Sequence, residues 1–303
     1  MFSTLRMTVA CAAAATFCLA ASAYAAPPLS GESDGGTYHL YRTPEMWQKL
    51  GRHPNLGTGG QMLYYGGSVF SSVKVVSVLW GPNVNQKTVQ GMPGFLSAIV
   101  NSTFVDQLAP QYDTNRHGVN HKGTHQTITR GTFISQVQIT PQNQNTNLTD
   151  KMIHTELEYQ IANGFLPTQD PNTLYMIYFP NNITISLGGA LSCQSFGAYH
   201  FATSKRPSAT NIFYGVMPDC GYSFNDHTII SAHEFAEATT DNIPTPGSNP
   251  AYPQAWNTST GYEIGDLCEG TQGQLVAGQT TYYVQEVYLN SIPGCGTGNF
   301  HSP

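Results

Sequence analysis

From residue 73 onward, short β-branched runs alternate with apolar residues at helical spacing. VKVVSVLW at 73–80 reads as a buried strand stopped by Gly81-Pro82. Phe95, Ile99, Val100, Phe104 and Leu108 recur at the period of an amphipathic helix, with Pro110 as its stop. GTFISQVQIT at 131–140 alternates as a strand and ends at Pro141. Thr149 or Asp150 caps a helix whose stripe is Met152, Ile153, Leu157, Ile161 and Phe165, and Asn163-Gly164 stops it. LYMIYF at 174–179 predicts a central strand, NIFYGVM at 211–217 another, and YYVQEVYL at 282–289 the last. Strands alternating with helices predict an α/β fold. We expect one domain over 69–303, with a mixed, mostly parallel sheet flanked by helices. Residues 26–68, with Pro27-Pro28, Gly35-Gly36 and few apolar periods, read as a loose N-terminal arm.

The first 25 residues predict something other than fold. Arg6 precedes an apolar stretch from Met7 to about Leu19, and Ala23-Tyr24-Ala25 is a small-x-small cleavage site. That is the layout of a secretory signal peptide, too short and Ala-rich for a membrane anchor. Export agrees with the cysteines. Cys11 and Cys18 leave with the leader, and Cys193, Cys220, Cys268 and Cys295 remain. An even number in an oxidising compartment predicts two disulfides. Cys193–Cys220 and Cys268–Cys295 each close a local loop. No CxxC spacing favours a zinc–cysteine site instead. The expected location is extracellular, or periplasmic.

Only 10% of the residues are charged, and the formal net charge is −6. With no Lys/Arg cluster the chain lacks the electrostatic footprint for nucleic acid or anionic lipid. Beyond the leader no apolar run reaches the ~20 residues of a membrane helix. Against so few charges, one segment stands out: DHTIISAHEFAEATTD at 226–241. Asp226 reads as its N-cap and Pro244 lies just past its end. Positions four apart share a helix face, so His233 and Glu237 aim an imidazole and a carboxylate at one point. The pattern is HExxH with the second His replaced by Glu. In HExxH sites the flanking residues hold zinc and the central Glu, here Glu234, is the general base. Zinc accepts a carboxylate oxygen in place of nitrogen. The more anionic donor set also suits Ca²⁺ or Mn²⁺.

A third ligand is sought downstream, in YEIGDLCE at 262–269. Glu263 is the first choice, with Asp266 orienting His233 or serving as the alternative ligand. Asp241 competes, but it points roughly 80° from His233 on a regular helix (about 100° per residue), so the helix would have to end to bring it in. Ile229, Ile230, Ala232, Phe235 and Ala236 predict a helix packed on both sides, which puts the polar cluster partly inside, where unpaired charge is costly. His200 is a candidate to face substrate. His117, His121 and His125 are spaced by four, but Gly118 and Gly123 make that stretch a polar loop. His227 reads as structural. No Gly-x-Ser-x-Gly elbow or phosphate-cradling glycine loop is present.

HEFAEATTDN at 233–242, then Trp256, YEIGDLCEG at 262–270 and YYVQEVYLN at 282–290 together resemble the phosphate-induced protein 1 (exordium-like) family of extracellular plant proteins. They are closer still to secreted bacterial relatives with a HExxEAxTDP signature. RGTFISQVQITP, NTLYMIYFP, CQSFGAYHF and YGVMPDC are similar to blocks of that bacterial group, so the resemblance spans about residues 70–296. Asn242 stands where the signature has Pro. The resemblance implies an extracellular or cell-wall setting and a zincin-like metal helix. The plant members are associated with growth and cell expansion, and no defined reaction carries over.

Residue chemistry therefore sets the functional expectation: a secreted metal-dependent hydrolase, foremost a zinc endopeptidase cleaving protein or peptide. The alternative is a non-enzymatic protein holding a structural ion and binding a cell-wall polymer. A third is a metal-free carboxylate-pair glycan hydrolase using Glu234 or Glu237 with Glu263.

Overall fold

The computed structural model describes residues 30–32, 37–43, 46, 60–244, 249–296 and 298–303 of the 303. The expected leader lies outside the described residues. The architecture is mixed α/β with several sheets. The largest sheet has seven strands: β1 (Ser30–Glu32), β2 (Thr37–Tyr41), β3 (Ser72–Trp80), β4 (Thr129–Ile139), β5 (Thr173–Tyr178), β6 (Ala198–Ala202) and β7 (Phe213–Met217). Their order is β1-β2-β6-β7-β5-β3-β4. The β7/β5, β5/β3 and β3/β4 pairs are parallel. The β6/β7, β6/β2 and β1/β2 pairs are antiparallel, so the sheet is half parallel rather than mostly so. The N-terminal arm contributes two of these antiparallel edge strands.

Three helices matter to the argument: α1 (Gln86–Val100), α2 (Asp150–Ala162) and α3 (Phe224–Thr240). The connection β3–α1–β4 moves one way along the sheet, and β4–α2–β5 moves back. Right-handed crossovers in opposite directions place their helices on opposite faces. The cores bear this out. Val73, Val75 and Leu79 of β3 pack with Phe95 and Ile99 of α1, whereas Val76, Val78 and Trp80 pack with Ile153 and Leu157 of α2. β5 is buried at every position, as a strand covered on both faces requires.

The expected helix through Leu108 ends earlier. Asn101 is the C-cap of α1, Pro93 sits inside it, and short helices follow at Thr103–Asp106 and Ala109–Tyr112. Pro110 lies in the first turn of the last, where its missing N–H costs nothing. The apolar run at 282–289 is also divided. β8 (Gln272–Ala277) pairs with β9 (Thr280–Gln285), and Tyr288–Leu289 pairs separately with Gly294–Cys295. Both expected disulfides, Cys193–Cys220 and Cys268–Cys295, are at bonding distance. Among the described residues no helix is long and apolar enough to cross a membrane.

Candidate metal centre

Helix α3 lies between the seven-stranded sheet and the β8/β9 hairpin. Every residue from His227 to Thr240 is buried. The helix begins before the expected cap. Ser223 is the N-cap, its hydroxyl accepting from the Asp226 N–H at 3.2 Å while Asp226 Oδ2 accepts from the Ser223 N–H at 2.9 Å. That reciprocal pair is a capping box, with Asp226 in the first turn. Most hydroxyls on the buried helix are satisfied by helix carbonyls. Thr239 donates to Phe235 O, Thr240 to Ala236 O and Thr228 to Asn225 O. His233 is different: neither ring nitrogen makes a well-aligned hydrogen bond among the described residues, and Nε2 meets only the Glu237 carboxylate.

Strand alternation brings His200 in. Ala198 and Ala202 of β6 belong to the core beneath α3, and Tyr199 and Phe201 to the opposite core. His200, between the two alanines, faces α3. It is 1% exposed, and His233, Glu234, Glu237 and Glu263 are 0% exposed. His200 is thus an interior group, as buried as the α3 side chains it faces. Its Nε2 is 3.1 Å from the Asp241 carbonyl oxygen. A carbonyl only accepts, so Nε2 carries the proton. Its Nδ1 lies 3.3 Å from Glu234 Oε2 and 3.6 Å from Glu237 Oε2.

The loop at 263–266 closes the other side. Gln285 of β9 donates to Gly265 O at 2.8 Å, and Tyr288 N–H to Ile264 O at 2.9 Å. So held, Asp266 N–H donates to Glu237 Oε1 at 3.0 Å, and Glu263 N–H donates to Asp266 Oδ2 at 2.8 Å. His233 Nε2 is 3.1 Å from Glu237 Oε1. His233, Glu237 and Asp266 each offer one ligand atom within 4.8 Å of the others. The expected pairing of His233 with Glu237 is therefore present, but Asp266 stands beside them where Glu263 was the first choice. Glu263 lies behind the second imidazole, Oε1 3.6 Å from His200 Nε2. Asp241 is the C-cap of α3, and its carboxylate accepts from Ala255 N–H and Asn257 Nδ2, so it turns away from His233.

These charges perturb one another strongly. Burial pushes the Glu234 carboxyl up, Glu237, Asp266 and Glu269 add to the rise, and His233 opposes it. Glu263 is pushed up by burial and by the carboxylates of Glu237, Asp241, Asp266 and Glu234. Burial lowers His233, but Glu237 above all, with Glu234 and Asp266, overrides it and lifts the imidazole to about 10. Such a cluster is held together by protons or by a cation.

Two features escape pattern reading. Gly265 runs so close that a Cβ there would sit 2.7 Å from both Glu237 Oε1 and His233 Nδ1. Tyr41 of β2 lies edge-on to the His233 ring at 4.9 Å. On its other side Tyr41 lines a surface hollow of about 370 Å³ with Tyr222, Asp226, Ile230 and Thr271. His227 packs edge-on against Tyr222, and His121 stacks on Tyr252 in a loop, both outside the centre. Comparison with protein-family models, curated proteins and solved structures finds no match.

Proposed function

We propose that the chain is an exported, zincin-like metal-dependent hydrolase cleaving peptide bonds, with zinc held by His233, Glu237 and Asp266. The observation carrying this reading is the convergence of those three donors within 4.8 Å beside a buried carboxyl group, Glu234, whose Oε1 has no hydrogen-bond partner. One imidazole nitrogen and two carboxylate oxygens suit zinc, with Mn²⁺ or Ca²⁺ as competitors for so anionic a set. A divalent ion there would supply Lewis acidity toward a carbonyl. The protein does the rest. Glu234 accepts a proton through Oε1 while His200 holds Oε2. Burial and the neighbouring carboxylates raise its proton affinity. The Asp266 N–H fixes Glu237. Tyr41 keeps the pair dry until substrate displaces it from the hollow side. The resemblance to exordium-like proteins and their bacterial relatives supports an extracellular setting, as do the paired cysteines.

Complete burial favours a second reading, a structural ion in a protein that binds a wall polymer. Elemental analysis of the purified mature protein, with casein cleavage before and after chelation, separates the two. The hydrolase reading expects cleavage lost on chelation and regained with zinc, and Glu234→Gln inactive with the His233-held ion retained. Stoichiometric metal without any cleavage overturns it in favour of the structural ion. Cleavage of a glycan that ignores chelators overturns both.

A further inference from the structure

We propose that the centre holds two divalent cations, with Glu237 as the carboxylate between them. The inference rests on the metal-centre reading above and adds a second locus to it.

The two oxygens of Glu237 face different histidines. Oε1 is 3.1 Å from His233 Nε2, and Oε2 is 3.6 Å from His200 Nδ1. Glu237 is common to two trios, His233–Glu237–Asp266 and His200–Glu234–Glu237. Each trio brings its donor atoms within 4.8 Å of one another. A carboxylate spanning two ions suits the ~3.5–4 Å separation of two-metal hydrolytic sites.

His200 gives the second locus its donor. With Nε2 turned to the Asp241 carbonyl, the His200 ring aims Nδ1 at two carboxylate oxygens, 3.3 and 3.6 Å away. A lone pair facing two anionic oxygens is repulsive unless a cation or an extra proton lies among them. Unpartnered, fully buried atoms point the same way: Glu234 Oε1 and both oxygens of Glu263 have no hydrogen bond among the described residues. Five carboxyl groups, Glu234, Glu237, Asp241, Glu263 and Asp266, are buried around two imidazoles, a density of anionic donors that favours a second cation. Uncompensated buried charge is what such a site avoids. Glu234 keeps its proposed task, because Oε2 is the oxygen turned to His200 and Oε1 stays available for a proton.

The test is Mn²⁺ titration of the chelator-stripped mature protein, read by elemental analysis and electron paramagnetic resonance. The wild type is expected to saturate at about two equivalents and to show an exchange-coupled spectrum in place of the isolated-ion sextet. His200→Ala and Glu234→Gln are each expected to retain about one equivalent with the isolated sextet. Glu237→Gln, close in volume and checked by circular dichroism, is expected to abolish the coupling. Wild type saturating at one equivalent overturns the second locus and leaves the hydrolase reading standing. No binding at all overturns both.

Discussion

Gly265→Ala sets two opposed effects against each other. The backbone there has φ −77° and ψ −42°, a helical conformation open to any residue. At such a compatible position, replacing Gly by Ala stabilises a protein by about 0.4–1 kcal/mol, because the unfolded chain loses freedom. Local crowding acts the other way. The new methyl would meet Glu237 Oε1 and His233 Nδ1 at 2.7 Å and His233 Cε1 at 2.9 Å. Comfortable contact begins near ~3.5 Å, so ring and carboxylate must retreat by roughly 0.8 Å. Neither has room: His233 lies against Tyr41, and Glu237 is tied to the Asp266 N–H. Overpacking of this kind costs about 1–3 kcal/mol. At the centre of both ranges crowding wins, and the net loss spans roughly 0–2.6 kcal/mol. Urea denaturation in the presence of chelator reads it without a metal contribution. At a slope of about 2–3 kcal/mol per M, the midpoint falls by up to ~1.3 M with the slope unchanged. A midpoint that rises refutes the packing of Gly265 onto the His233–Glu237 pair.

Asp241→Ala orphans two buried donors, Ala255 N–H and Asn257 Nδ2, and is expected to cost about 2–5 kcal/mol by urea denaturation. Asp241→Asn, which keeps one acceptor, is expected to cost less, and equal losses would contradict the assignment. Replacing Cys193 and Cys220 by Ser opens a loop of sequence separation 27 and is expected to remove about 3–4 kcal/mol from the midpoint-derived stability. Phe235→Ala empties a fully buried ring site on the sheet side of α3, for ~3–5 kcal/mol by the same measurement. Tyr41→Ala removes the ring between the hollow and His233, so zinc release to a stopped-flow chelator should accelerate, and an unchanged rate would place the route elsewhere.

Periodicity reported the elements whose neighbours also obey it. β3, β5 and α2 follow their apolar runs closely, because each packs against long, regular partners. Both cysteine pairings were legible because each closes a short local loop. His233 and Glu237 came together because the i, i+4 relation depends on the helix alone. What the helix needs from elsewhere was harder to read. His200 was singled out without a strand assigned to it, yet Ala198, His200 and Ala202 against Tyr199 and Phe201 is a period of two that identifies its strand and its face. That Asp266 rather than Glu263 stands beside His233 and Glu237 depends on the turn at 263–266, which Gln285 and Tyr288 fix from far along the chain. No local pattern carries that information. The early start of α3 was available, since Ser223 and Asp226 have capping-box spacing.

The two covalent loops share out the enclosure of α3. One closes over 193–220 and carries β6, with His200, together with β7. The other closes over 268–295, just past Asp266, and carries the β8/β9 hairpin. The helix itself belongs to neither. Opening one bridge would therefore free a flank that holds His200, and opening the other a flank adjoining Asp266, while the helix lies outside both loops.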